Sequence, residues 1–426
     1  MIQTIRNEPI WLGGLRGKAL EAYRDLPFPD RVRHLWRYTD PNAFLPDGDP
    51  FRQNKPAPAG SIAPWCEVCQ DEIGEEASAL GIAMNGLTHQ VTLPEELRSS
   101  GLILKGLKQA IMEHDGLVES FLGRLIPAES GKFEALNLAA WQDGFFLYLP
   151  KGVELGRPIH LFMCEDGAAS FSAPRILAVI EEGSSLTLFT EFMGQTVNGR
   201  TGRQVNAMVE LFLGEGSRLD HVTVQRLSPG AHFYLKSRAR LARDARTVSV
   251  LAAFGGAMAK VDSGVVLAGE GAEGEFFGFA FGEADQHLDH HTEYEHKAPR
   301  TRSQLDFKVV LKDRARSIYT GLIRIDKDAP YCEAYQENRN VLLSEGAQAE
   351  TIPELEIMTN EVRCTHGATV GPLDEDPIFY LMSRGIPREE AIRMVVGGFL
   401  EPALVRIPGG LQTSIRRCVE ERLRRF

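Results

Sequence analysis

The sequence has few cysteines and no long hydrophobic run. Six cysteines in 426 residues are too few for a disulfide framework, and such sparse usage is typical of a reducing compartment. The first residues lack the apolar segment of a signal peptide, and no uncharged apolar run approaches the roughly 18 residues that a membrane span needs. We therefore expect a soluble, cytoplasmic protein without a membrane partner.

Basic residues are also fewer than acidic residues. The chain has 47 Lys and Arg residues against 58 Asp and Glu residues, a formal net charge of −11. A field of this sign repels the phosphate backbone of nucleic acids, so we expect no nucleic-acid partner. Hydrophobic residues still make up 43% of the chain and charged residues 25%, which predicts a folded globular protein rather than a disordered one.

Motifs of common catalytic centres are missing as well. The sequence contains no G-x-x-x-x-G-K-[ST], no H-E-x-x-H and no G-x-S-x-G. Residues 269–274 match the letters G-x-G-x-x-G, but a strand-like run follows where a helix is required, and Glu270 and Glu273 would repel phosphate. We expect a chain that binds no nucleotide, so that any ATP hydrolysis belongs to a partner.

Three regions differ in their apolar pattern. Residues 1–130 combine helical spacing with a hairpin signal at Asn85-Gly86 and are predicted to form an N-terminal helical or α+β cap. Residues 131–352 contain short β-type runs with no helical stretch between them, which excludes alternating βαβ units. Residues 353–426 regain helical periodicity, for example at Leu411 and Ile415, and are predicted to form a C-terminal helical domain.

A weak repeat runs through the β-rich region. An acidic residue followed by a small residue precedes several of the runs, and Gly183, Gly216, Ala245 and Gly271 are separated by 33, 29 and 26 residues. Such spacing fits the coils of a solenoid in which small residues mark tight corners. The pattern favours a parallel β-helix, and on this pattern alone a β-sandwich remains the alternative.

Two clusters contain metal-ligand residue types but are incomplete. Cys66 and Cys69 have the C-x-x-C spacing of half a zinc site, and no second pair follows them. Residues 287–296, HLDHHTEYEH, are rich in imidazole and carboxylate groups, but a strand sends alternate side chains to opposite faces. We favour no metal site at either place, and the role of Cys66 and Cys69 stays open.

Cys364 and His366 form the most specific pair in the sequence. They are two residues apart, so on an extended segment their side chains point to the same side. A soft thiolate beside an imidazole suits iron or sulfur transfer, but two ligands are an incomplete set. A partner chain would complete the site, and a buried cysteine beside a hydrogen-bonded histidine is the structural alternative.

The segments that surround this pair carry a family resemblance. CTHGATVG (364–371), IFYLMSRGI (378–386), EHKAPRTRSQLDFK (295–308) and AYQENRNVLLSEGAQAET (334–351) are similar to signatures of the SufB/SufD family of iron–sulfur cluster assembly proteins. Gly367 and Leu381 stand where SufB chains typically carry Glu and, in many cases, Cys. On these two features the chain resembles SufD more closely than SufB.

The resemblance implies a mainly β protein, with a right-handed parallel β-helix between an N-terminal α+β cap and a C-terminal helical domain. It also implies a SufBCD complex, in which the chain pairs with a SufB-like subunit while its C-terminal domain binds an ABC-type ATPase, SufC. In isolation a homodimer is the alternative. Cys364 and His366 would then hold iron or a nascent iron–sulfur cluster transiently at the interface with SufB.

Two other functions remain open on the sequence. Within the family, the chain would be a SufB-like or homodimeric scaffold that works without a separate partner. From a different class, it would be a β-helix enzyme acting on polysaccharides, which needs paired carboxylates on one strand face. Glu293 and Glu295 permit such a pair.

Overall fold

The computed structural model describes most of the chain. The described residues are 8–32, 34–46, 48–52, 54–57, 62, 64–69, 77–167, 169–194, 203–407, 409 and 411–424.

The N-terminal region mixes helices with a short antiparallel hairpin. Strand β1 (Ala79–Met84) pairs with β2 (Leu87–Thr92) across the turn at Asn85 and Gly86, whose φ values are 53° and 76°. Both residues adopt the left-handed conformation that a two-residue hairpin turn demands, so the predicted hairpin is confirmed. Strand β3 covers Ile103–Gly106, and residues 64–69 are helical. The other elements here are the helices Ile10–Asp25, His34–Arg37, Glu95–Ser99, Leu107–Glu113, Asp115–Phe121 and Lys132–Ala140, and the 3-10 helices Pro41–Phe44 and Ala128–Ser130.

The middle of the chain is a parallel β-helix of about eight turns, which confirms the predicted fold class. Its strands alternate between two ten-stranded sheets, and the parallel pairing excludes the β-sandwich alternative. The first sheet has the order β2-β1-β5-β8-β10-β12-β14-β16-β18-β20, and the second has the order β19-β17-β15-β13-β11-β9-β7-β4-β3, with β6 beside β9. The strands are β4 (Gly144–Leu149), β5 (Ile159–Glu165), β6 (Phe171–Ser172), β7 (Arg175–Ile180), β8 (Ser185–Gly194), β9 (Arg203–Leu213), β10 (Arg218–Arg226), β11 (Ala231–Leu241), β12 (Arg246–Ala253), β13 (Met258–Leu267), β14 (Glu273–Gly282), β15 (His287–His296), β16 (Arg302–Leu311), β17 (Arg316–Ile325), β18 (Cys332–Leu342), β19 (Gln348–Ile357) and β20 (Val362–Pro372).

One column of corners explains the repeat seen in the sequence. Gly183, Gly216, Asp244 and Gly271 lie at successive corners with φ between 55° and 72°, and the amide of Gly183 donates to the Glu215 carbonyl of the next coil at 2.8 Å. Such a conformation favours glycine. Further along the column Arg300 and Tyr331 adopt it instead, with φ of 57° and 62°, so the glycine signal disappears from the sequence there.

The N-terminal region is joined to the β-helix through Glu210, which also forms a buried ion pair within the β-helix. The Arg175 guanidinium donates to Glu210 at 2.8 Å, and both side chains are about 1% exposed. The Glu210 carboxylate also accepts the amides of Gly123, Leu125 and Ile126 at 2.9 to 3.1 Å. One side chain on β9 therefore fixes the backbone of residues 123–126.

Replacing this carboxylate should be costly. We expect Glu210→Ala to lower the free energy of unfolding by about 3–5 kcal/mol, because it leaves the Arg175 charge and three amides buried without their acceptor. Urea unfolding followed by circular dichroism measures the change. Glu182→Ala is the control, because its ion pair with Lys151 is largely exposed and such pairs contribute little. Equal effects of the two substitutions would contradict the role assigned to Glu210.

The C-terminal helices Glu375–Met382, Arg388–Leu404 and Leu411–Leu423 follow the β-helix. Leu411, Ile415, Val419 and Leu423 are buried, as the spacing predicts for one face, and pack with residues of β8 to β16 on the outer face of the first sheet. Strands β19 and β20 include residues beyond 352, and the division into three domains stays a prediction. Across the described residues, the helices are too short or too polar to span a membrane.

Candidate functional site

The β-helix ends in a coil with free strand edges. Among the described strands, β20 pairs only with β18 and β19 only with β17. We call residues 348–372 the open end. Exposed apolar side chains lie on it or beside it, namely Tyr335, Ile357, Met358, Val370, Phe379 and Tyr380. Unpaired edges surrounded by apolar groups are typical of a surface that another chain covers.

Cys364 and His366 both lie on β20 at this open end. Their partners in register on β18 are Ala334 and Gln336, which are buried in the interior between the sheets. Both candidate residues are therefore on the inner face of the edge strand, on the same side as predicted. Cys364 is half-buried against the interior core, and burial raises the pKa of its thiol. His366 is exposed.

A layer of buried amides lies directly beneath this pair. Gln336 reaches across the interior, and its Nε2 donates to the Gly321 carbonyl at 3.1 Å. A Cβ at Gly321 would lie 2.1 Å from that Nε2, so glycine at this position makes room for the amide. The Gln336 Oε1 is buried without a hydrogen-bond partner among the described residues. The layer thus offers an acceptor next to His366, and sequence analysis did not single it out.

The pair does not form a complete metal site within the described part of the chain. There, no three His, Cys, Asp or Glu side chains are placed to hold one ion. The assignment of Cys364 and His366 as ligands stays a prediction, and at the open end the missing ligands are within reach of a docked partner.

The histidine-rich segment forms strand β15, and its side chains alternate between two faces. His287, Asp289 and His291 point outward, beneath the residues around Thr39. Lys260 donates to Asp289 at 2.8 Å, His291 Nε2 lies 2.9 Å from the same carboxylate, and Thr39 bonds both His287 and Asp289. Because Lys260 and His291 flank the Asp289 carboxylate, its pKa is held far below the usual range although burial opposes this. The outward groups form a buried structural network.

The inward side chains of β15 are bonded or packed inside the β-helix. His296 interacts with Thr301 at 2.7 Å and with Ser303 at 2.9 Å. His290 packs against Phe307 with ring centroids 4.9 Å apart. Burial lowers the pKa of His296 to about 4 and that of His290 to about 3, so both rings are neutral at physiological pH. The cluster therefore divides as strand alternation predicts.

The two carboxylates considered for polysaccharide chemistry are engaged in ion pairs. Glu293 accepts from Arg238 at 3.1 Å, and Glu295 lies 2.8 Å from Lys297. Paired carboxylates serve hydrolysis only when one acts as an acid and the other as a base or nucleophile. In this structure each of the two carboxylates is paired with a cation.

A second exposed feature is a groove between the last two helices. It has a volume of about 670 Å³, and its floor includes Met394, Gly397, Gly398 and Val419. Charged residues of both signs form its rim, namely Glu390, Arg393, Glu401, Arg416, Glu420 and Arg424. An apolar floor with a charged rim is typical of protein–protein interfaces.

Comparison with known proteins assigns the chain to a family. Residues 162–399, more than half of the chain, match the family described as "SUF system FeS cluster assembly, SufBD core domain", and residues 4–161 match the "SufBD protein N-terminal region". The chain belongs to the SufBD family. This SufBD protein is 27% identical over 432 residues to iron–sulfur cluster assembly SufBD family proteins of Staphylococcus aureus strain MRSA252 and of Staphylococcus saprophyticus. In each case the match covers 98% of this chain and 90% of the relative.

Membership gives the open end a functional context. The matched core region contains β20, and thus both Cys364 and His366, as well as the helix Glu375–Met382. The SufBD protein therefore takes part in iron–sulfur cluster assembly. Cys66 and Cys69 lie in the N-terminal region, away from the edge strand β20.

Proposed function

We propose that this SufBD protein is a SufD-like, non-catalytic subunit of a cytoplasmic SufBCD complex. It pairs with a SufB-like chain through the open end and carries an ABC-type ATPase on its C-terminal helices. The nascent cluster is the cargo of the complex. The observation that carries the proposal is the position of Cys364 and His366 on an unpaired edge strand, where a second chain completes the site.

The SufD assignment is supported by two residues. Gly367 follows the candidate histidine, and Leu381 follows the Phe-Tyr pair of the helix Glu375–Met382. Neither residue supplies a carboxylate or a thiol, so this chain contributes fewer ligands than a SufB-like partner would. That division of ligands favours a heteromeric site over a SufB-like or homodimeric scaffold.

The edge strands support docking through backbone hydrogen bonds. A partner strand added beside β20 would pair the free amides and carbonyls and bury Val370, which is exposed in the single chain. His366 would then lie at the junction, above the buried Gln336 amide. Ligands from the partner would reach the same inner face.

The groove between the last two helices is the proposed seat of the ATPase. A Cβ at Gly398 would meet no other atom within 4 Å, so a long side chain fits there without a clash and occupies the groove. We expect Gly398→Arg to fold normally, since replacing a helical glycine gains up to about 1 kcal/mol in helix propensity. ATPase affinity should fall by at least about tenfold, as for loss of an interface hot spot.

The matched control is Gly14→Arg. Gly14 is also helical and equally open, but it lies in the helix Ile10–Asp25 of the N-terminal region. Co-purification and calorimetric titration with a SufC-type ABC ATPase would compare both variants with the wild type. Unchanged binding by Gly398→Arg would remove the ATPase from this groove and leave the pairing through the open end untouched.

A further inference from the structure

Four sulfur-containing side chains meet on the outer face of the first sheet. Met84 of β1, Cys164 of β5 and Met193 of β8 are in register on adjacent strands. Cys69, from the helical residues 64–69, packs on this row. All four side chains are at most 5% exposed, so the cluster is enclosed between the N-terminal region and the β-helix.

The Cys69 Sγ atom lies at nearly the same short distance from two other sulfur atoms of the cluster. The Sγ atom of Cys69 lies 4.0 Å from the Sγ atom of Cys164 and 3.9 Å from the Sδ atom of Met193. Both cysteines are free thiols. Three sulfur atoms that share one metal ion in a trigonal plane, with bonds of about 2.3 Å, are about 4 Å apart. Both distances from Cys69 match this arrangement, and Cys164 and Met193 are direct neighbours in register on β5 and β8.

The donor set selects a soft cation. Thiolates and thioethers favour Cu(I), whereas zinc in a structural site requires four ligands and magnesium or calcium require oxygen. The other members of the cluster that pack around the four sulfur residues are apolar, including Trp65, Leu80, Ile82 and Phe162. These side chains keep water away from a bound ion, and the carboxylates of Glu165 and Glu191 lie near Cys164.

We propose that Cys69, Cys164 and Met193 form a Cu(I) site, with Met84 as a flanking thioether. Binding of Cu⁺ forms two copper–thiolate bonds and one copper–thioether bond and releases the two thiol protons to solvent, so no atom changes its oxidation state. The site is independent of the function proposed for Cys364 and His366.

Cys66 provides a route for the ion. It is only partly buried, and it precedes Cys69 by three residues in the helical segment, so both thiols lie on one helical face. A Cu(I) ion carried by a small thiol exchanges first onto Cys66 and then onto Cys69. A bound ion would join residues 64–69 to β5 and β8, and thus the N-terminal region to the β-helix.

The test is an anaerobic Cu(I) titration of the reduced, full-length chain against a chromophoric Cu(I) chelator. We expect one equivalent to bind, with a thiolate-to-copper absorption band in the near ultraviolet. X-ray absorption of the loaded protein should show a shell of sulfur neighbours only. Cys69→Ser and Cys164→Ser should each weaken binding at least 100-fold, and Met193→Leu, which preserves volume, by about tenfold.

Cys418→Ser is the control, because Cys418 lies on the helix Leu411–Leu423, remote from the cluster, and its loss should leave binding unchanged. Circular dichroism establishes that each variant is folded, and the absorption data on the wild-type chain identify the ligands even where a variant fails to fold. Failure of the wild-type chain to compete with the chelator would overturn the proposal. So would nitrogen or oxygen neighbours around the ion, or undiminished binding by folded Cys69→Ser.

Discussion

The His366→Ala variant should fold and assemble with its partners but fail to support cluster formation. His366 is exposed and has no hydrogen-bond or ion-pair partner among the described residues. Its removal leaves no buried group unpaired, and we expect a stability change within about 0.5 kcal/mol. Cluster yield should fall by about 100-fold or more, since even disturbing the groups that support a metal ligand costs 10- to 100-fold. Thermal melting, size exclusion and cluster absorbance on the same variant measure the three quantities.

Two further substitutions serve as a control and as a comparison for His366→Ala. His89→Ala removes another exposed histidine, on β2, and should leave cluster yield unchanged. Cys364→Ser should have a milder effect than His366→Ala, because the half-buried thiol is protonated at neutral pH and the family resemblance marks the histidine more strongly. A His366→Ala complex that builds clusters at the wild-type rate would exclude His366 from the site.

Mild acid should unfold the protein. Burial lowers the pKa of five histidines well below the ordinary value near 6.5, so the unfolded chain binds more protons than the folded chain between about pH 4 and 6.5. The contribution of these histidines to the free energy of unfolding is therefore fully present above pH 7 and is lost as the pH drops through this window. At pH 5.5 each such histidine costs about 1.4 kcal/mol. The five are His160, His221, His287 and His296, each with a pKa of about 4, and His290, with a pKa of about 3.

Replacing one of these histidines should weaken the acid sensitivity. Neither ring nitrogen of His290 has a hydrogen-bond partner among the described residues, and the ring already packs against Phe307. His290→Phe should therefore raise stability at pH 5.5 by about 1 kcal/mol and have less effect at pH 8. Urea unfolding at both pH values makes the comparison, with the exposed His89→Gln as the control. An identical pH dependence in His290→Phe and wild type would refute the assignment of this loss to buried histidines.

The course of the β-helix could be predicted because many of its coils contain a corner with the same left-handed backbone conformation. The Asn85-Gly86 turn and the small residues at Gly183, Gly216 and Gly271 satisfy backbone conformations that few other residues adopt. The signal failed where Arg300 and Tyr331 adopt the same conformation. Each corner in the column is held by a backbone hydrogen bond to the next coil. This bond stabilises the left-handed conformation even in a residue other than glycine, and no local sequence rule predicts that.

The functional surfaces were only partly predictable. Strand alternation correctly placed Cys364 and His366 on one side and divided the histidines of β15. It did not indicate that residues 34–44 would cover the outward face of β15, or that Gln336 would lie beneath His366. Cys69 and Cys164 meet across 95 residues through the packing of a helical segment on a sheet, and no spacing rule connects them.

The stacking of coils also determines how the protein opens. Each inner strand, such as β12 between β10 and β14, is bonded on both sides, whereas β20 is bonded only to β18 among the strands that the structure describes. Because a solenoid is stabilised mainly by contacts between neighbours, local opening should begin at the terminal strand and become rarer toward the middle. Amide hydrogens of β20 should therefore exchange with solvent much faster than those of β12. A chain docked on β20 would slow that exchange, so deuterium uptake by one strand reports whether the protein is alone or assembled.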